Sequence, residues 1–188
     1  RIVMSDEKSA TSKSAINVRE MCYVAMFTAV ISILAQISIP LPLGVPLTMQ
    51  TFAITLAAVV LGAKYSTYST IIYLLLGAIG VPVLANFSAG LDKFVGPTGG
   101  FLFSFPLMAF IIGYGAEHKD MFKGAYVVFL ILGTVANYVV GVVMFCFLTS
   151  SDLATGISAC VIPFIPTAII KAVLASYLGF IIRKRLPR

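Results

Sequence analysis

The chain has 188 residues, 60% of them hydrophobic and only 11% charged, with a mean hydropathy of +1.03. Charged residues make up about a quarter of an ordinary soluble domain, so a soluble globular protein is excluded, and long unbroken apolar runs exclude the alternating pattern of a membrane β-barrel. The net charge of +6 does not signal nucleic acid, because the basic residues fall between apolar runs instead of forming one patch.

What remains is an all-α integral membrane protein. Residues 1–18 read as a flexible cytoplasmic N-terminus: residues 1–3 look like an expression remnant ahead of Met4, and MSDEKSATSK (4–13) is polar. Residues 19–188 read as a single six-helix membrane domain. The spans predicted in chain order lie at about 20–39, 47–62, 66–83, 101–116, 121–148 and 160–182. The second, third and fourth are short against the ~20 residues of a straight crossing.

Charge sets the expected orientation. With both termini cytoplasmic, Arg1, Lys8, Lys13, Arg19, Lys64, Lys119, Lys123, Arg183, Lys184, Arg185 and Arg188 fall inside, Lys93 falls outside and Lys171 lies within the membrane. The positive-inside rule therefore predicts N-in, C-in. The outer connections are then IPLPLGVP (39–46), LANFSAGLDKFVGPTGG (84–100) and TSSDLATGISA (149–159), rich in Pro and Gly, whereas the inner loops are short and charged. Such an arrangement suits a ligand arriving from outside.

Lys171, in IPTAIIKAVLAS, is the principal candidate. Its place near the middle of the sixth span predicts mid-depth, where a lysine costs about 2.5–3.5 kcal/mol on insertion scales. It either pairs with a backbone carbonyl or meets a ligand acceptor, and since no Asp or Glu lies inside a span the partner is expected to come from outside the chain. Pro163 and Pro166 are expected to bend this helix open. Thr48 and Gln50, in VPLTMQTF, sit at the outer mouth of the second span. Gln50 is either an interhelical bond or a ligand contact.

Asn86 in LANFSAG caps a turn or bonds a ligand amide, and Phe87 and Phe94 could cover an apolar ligand. The run GPTGG (96–100), with Thr98 and Gly99, is punctuated too strongly for a helix and either lines a pocket with N–H groups or forms a tight entry into the next span. Asn137 and Tyr138 carry the same two readings as Gln50, with interhelical bonding favoured, and Tyr65, Tyr68 and Tyr126 read as an aromatic belt. Ala25 and Ala29 form A-x-x-x-A, which permits close approach of another helix, as do Ala168, Ala172 and Ser176. Cys22, Cys146 and Cys160 predict neither a disulfide nor a metal site, and His118 reads as a solvated loop residue. No phosphate-binding loop, metal cluster, nucleophile–base pair or intramembrane carboxylate is present: a binding site is visible and an energy source is not.

The ordered blocks VPLTMQTFAITLAAVVLG, YLLLGAIGVPVLANFSAG, GPTGGF and PFIPTAIIKA resemble the BioY family, the biotin-specific substrate-capture (S) components of energy-coupling factor (ECF) transporters. The resemblance runs from about Val45 to Ala172. It implies no enzymatic activity and no resident cofactor. It further implies capture of biotin from outside and import driven by an ECF coupling transmembrane subunit and two ATPase subunits in the bacterial plasma membrane. Ala25 and Ala29 would face the coupling subunit, and Lys171, Asn86, Gln50, Thr48, Phe87, Thr98 and Gly99 would form the substrate site, with loop 39–46 as a cover. The chain departs from the family pattern at Ala168, where an acid is expected, and at Asn86, where glycine is common. Asn86 is therefore expected to supply the polar recognition lost with that acid. An S component for another vitamin and a self-sufficient secondary transporter are the alternatives.

Overall fold

The computed structural model describes residues 17–42 and 44–186. Most of the expected N-terminal segment, and Arg1, Lys8, Lys13 and Arg188 of the charge pattern, lie outside the described residues.

The described chain is all-helical apart from one two-residue hairpin. Helix α1 (Val18–Leu34) begins earlier than expected because the Asn17 side chain accepts the Arg19 N–H and caps it. Strands β1 (Ser38–Ile39) and β2 (Leu47–Thr48) pair antiparallel across loop 40–46, Ser38 opposite Thr48. Helix α2 (Gln50–Ala78) follows. Two 3-10 turns, Ala85–Phe87 and Leu91–Lys93, lead to α3 (Gly99–Glu117), α4 (Ala125–Thr149), α5 (Leu153–Cys160) and α6 (Ile165–Arg185). Four of these, α2, α3, α4 and α6, are long and apolar enough to cross a membrane by length and composition.

Helix α2 is not straight. Gly62 adopts φ 81° and ψ −178°, a left-handed-side conformation that favours glycine. In a straight helix residues 50 and 73 would stand about 35 Å apart, yet Gln50 Nε2 donates to Tyr73 Oη at 2.6 Å. The helix therefore doubles back at Gly62, and its two arms correspond to the second and third expected spans. A core of Phe27, Ile31, Phe52, Ala53, Ala57, Tyr73, Leu102 and Phe105 joins these arms to α1 and α3.

Three expectations need correction. Gly99 and Gly100 are not loop: they open α3 and are buried, because a Cβ on Gly99 would collide with the Phe94 carbonyl and one on Gly100 would stand 2.7 Å from the Val140 carbonyl of α4. The outer connection 149–159 contains α5. Its start is capped by Asp152, whose carboxylate accepts from Thr155 and is held below the usual carboxylate range by that bonding. Pro163 and Pro166 do not bend a long helix; they precede and start a shorter one, with Pro166 in its first turn, where proline lacks only a hydrogen bond that no helix start makes.

Candidate ligand-binding site

A cavity of about 630 Å³ opens at the end of the bundle formed by the 40–46 and 84–98 connections, within the 300–1,000 Å³ usual for small-molecule sites. Its cover is the loop between β1 and β2, contributing Pro40, Leu41, Gly44, Val45 and Pro46. Val45 is seated in a buried cluster with Val142, Phe145, Cys160 and Phe164, which fixes the loop to α4 and α5. The apolar walls are Phe101, Leu102 and Phe105 of α3, Tyr138 of α4, and Phe164 ahead of α6. Phe101 and Phe105 lie one turn apart, so a single face of α3 presents both.

Five of the expected site residues, Lys171, Asn86, Gln50, Thr48 and Thr98, line this one cavity. Lys171 Nζ donates to the Thr48 main-chain carbonyl at 2.9 Å. The expectation that its partner comes from outside the chain is thus corrected: a backbone acceptor 123 positions away is already in place, and the ammonium's three donors leave two for a ligand. The prolines delay the start of α6 to Ile165, so Lys171 lies about 9 Å along the helix from its first residue.

A short relay runs inward from the same place. Thr48 Oγ1 donates to Gln50 Oε1 at 2.9 Å, and Gln50 Nε2 donates to Tyr73 Oη. Gln50 is 6% exposed and Tyr73 fully buried. Both ends of the Gln50 amide are therefore oriented by the protein, with one N–H left over.

Asn86 has φ 58° and ψ 39°, a left-handed conformation that glycine and asparagine tolerate best. This gives a backbone reason for either residue at the position. Its Oδ1 accepts from Ser38 Oγ of β1, which leaves the amide Nδ2 as a donor. Phe87 and Gly99 do not line the cavity. Phe87 is 71% exposed, its N–H donating to Gln36 Oε1 at 2.7 Å, and Gly99 is packed beneath the Phe94 carbonyl. Phe94 is buried in the core and packs edge-on against Phe103, so it too contacts protein instead of the cavity.

Other lining residues were not singled out from the sequence. Asp92 and Lys93 line the outer rim and pair at 3.3 Å. For Asn137 and Tyr138 the sequence leaves interhelical bonding and ligand contact both open, with the first favoured. Asn137 does accept from Ser104 Oγ at 2.6 Å, but both residues also face the cavity. The aromatic pair at 101 and 105 was the available signal. Tyr126 shares a hydrogen bond with Ser176 at 2.5 Å and joins α4 to α6. The three cysteines are free, and His118 is exposed and stacked on Tyr114.

Residues 7–188 match the model of the BioY family. The chain belongs to that family. It is 42% identical over 166 residues to a biotin transporter BioY of Thermotoga maritima, covering 88% of this chain and 96% of that relative. It is 35% identical over 171 residues to a biotin transporter BioY of Rhizobium etli, covering 86% and 91%. Among solved structures, the S-component for biotin from an ECF-type ABC transporter, a crystal structure at 2.1 Å, superposes with a TM-score of 0.82 at 30% identity, covering 93% of this chain and 96% of that one. BioY relatives are named as transporters, so the chain is a multi-pass membrane transport protein and not an enzyme.

Proposed function

We propose that the chain captures biotin at the outer cavity as the S component of an ECF transporter, handing it to a coupling transmembrane subunit driven by two ATPase subunits. The chain crosses a bacterial plasma membrane six times, N-in and C-in. The crossings are α1, the two arms of α2, α3, α4 and α6, with α5 lying in an outer connection. The observation that carries this reading is the cavity itself: apolar walls with a few convergent polar groups, Lys171, Gln50, Thr48 and Asn86, in a chain whose relatives are named for biotin. Biotin has a polar ureido ring, an apolar thiophane ring and a valerate carboxylate, and an apolar cavity with sparse polar groups suits all three.

The ureido ring sits against Lys171, Gln50 and Asn86, whose donors match a carbonyl oxygen. The valerate points outward to Lys93 at the rim. The exposed face of α1 with Ala25 and Ala29 meets the coupling subunit. The reading needs no resident cofactor and no metal. Titrating the purified full chain with biotin tests it: saturable binding is expected, and none up to about 10 μM, or ~7 kcal/mol, in folded protein overturns it. A competition screen with other vitamins is the second arm, and preference for another vitamin would reassign the substrate.

A further inference from the structure

The turn of α2 at Gly62 frees main-chain groups that a continuous helix would pair. Two are met by charged side chains from different helices. The Ala63 N–H donates to Glu117 Oε1 of α3 at 3.2 Å, and the Val59 carbonyl, which Ala63 would have satisfied, accepts from Arg183 Nη1 of α6 at 2.8 Å. In each helix a glycine one turn earlier permits the approach. A Cβ on Gly113 would stand 2.5 Å from the Ala63 nitrogen, and one on Gly179 would stand 2.7 Å from Val59 Cγ1. The two pairs share a spacing, Gly113-x-x-x-Glu117 and Gly179-x-x-x-Arg183, that sets glycine and charge on one helical face. A Cβ on Gly62 itself would collide with the Glu117 carboxylate, so the turn and its cap fit one another.

The arm so anchored, Gln50 to Leu61, begins at the cavity. Gln50 and Thr51 line it, and so does Thr48 just before the helix. A helix arm about 18 Å long swings its far end by several ångströms for a modest change of angle at its base. We propose that Glu117 and Arg183 are positioning residues for the ligand site: they fix the angle at which this arm enters the cavity wall, and so place Thr48 and Gln50, although neither charge touches the cavity. The inference rests on the biotin-capture reading.

Biotin titration of the folded full chain, with hydrogen exchange of residues 48–55 as a ligand-independent readout, tests it. Glu117→Ala and Arg183→Met, which removes the donors, are each expected to weaken biotin about fivefold or more, or ~1 kcal/mol, and to speed exchange over 48–55. Glu117→Gln, which keeps an acceptor oxygen, and Arg183→Lys, which keeps a donor, are expected to restore most of the affinity. Glu117→Ala should combine non-additively with Gln50→Ala, on the arm, and additively with Asn86→Ala, off it; a general loss of stability would treat both alike. Unchanged affinity and unchanged exchange in folded Glu117→Ala and Arg183→Met overturn the inference. If either truncation does not fold, Glu117→Asp, too short to reach the Ala63 N–H, carries the same two expectations. If the unaltered chain binds no biotin, the functional reading fails, and the exchange measurement alone decides this one.

Discussion

Lys171 Nζ and the Thr48 main-chain carbonyl are joined at 2.9 Å, so the cation of α6 is tied to the end of β2, just ahead of α2, at the place where both reach the cavity. Lys171→Met keeps the aliphatic stem and removes the donors. Biotin affinity is expected to fall by at least about tenfold, or ~1.4 kcal/mol. Unchanged affinity in a folded variant would leave Lys171 a purely structural tie.

Tyr73 lies outside the cavity but holds the Gln50 amide. Tyr73→Phe leaves a buried N–H without its acceptor, a loss of about 1–3 kcal/mol. A lower thermal midpoint and a weaker biotin-induced rise in that midpoint are both expected. A drop in the midpoint with the full ligand-induced rise retained would show that Gln50 needs no help in meeting the ligand.

At Asn86 the backbone and the amide can be separated. Asn86→Gly suits φ 58° and is expected to preserve the fold while removing the Nδ2 donor, so biotin should bind more weakly at near-normal stability. Asn86→Val opposes the left-handed conformation as well, and should add about 1–3 kcal/mol of destabilisation. Equal binding by the glycine variant and the unaltered chain would reduce Asn86 to a turn residue.

Ala25 and Ala29 are exposed on α1, whereas Val24, Phe27, Thr28 and Ile31 face the bundle. Ala25→Leu with Ala29→Leu should leave biotin binding intact and abolish copurification with the coupling subunit. Loss of biotin binding instead would place that face inside the protein.

Much of the architecture was legible because hydrophobic spacing and charge placement are local signals. Lys64 and Gly62 marked the boundary between two short spans, and the structure doubles back at that boundary. Thr48, Gln50, Asn86, Thr98 and Lys171 stood out as polar residues in apolar or glycine-rich surroundings, and they share one cavity. The start of α6 falls later than expected, at Ile165, because the apolar content of residues 160–164 hides the ability of Pro163 and Pro166 to delay a helix. Helix α5 was missed because Ser, Thr and Gly dominate 149–158, although Asp152 three residues before Thr155 is a cap signal. Glu117 and Arg183 could not have been assigned from sequence, since what they bond is a main-chain group exposed only by the turn at Gly62.

That last point extends to Lys171. Two of the long cationic side chains of α6, Lys171 and Arg183, end on carbonyl oxygens of the chain around the first arm of α2, at Thr48 and Val59. A carbonyl oxygen is present whatever amino acid carries it. The side chain at 48 is thus free to be exchanged without cutting its tie, whereas that at 59, buried against Gly179, is held by packing. Recognition chemistry on this wall can drift between relatives while the bracing beneath it stays the same.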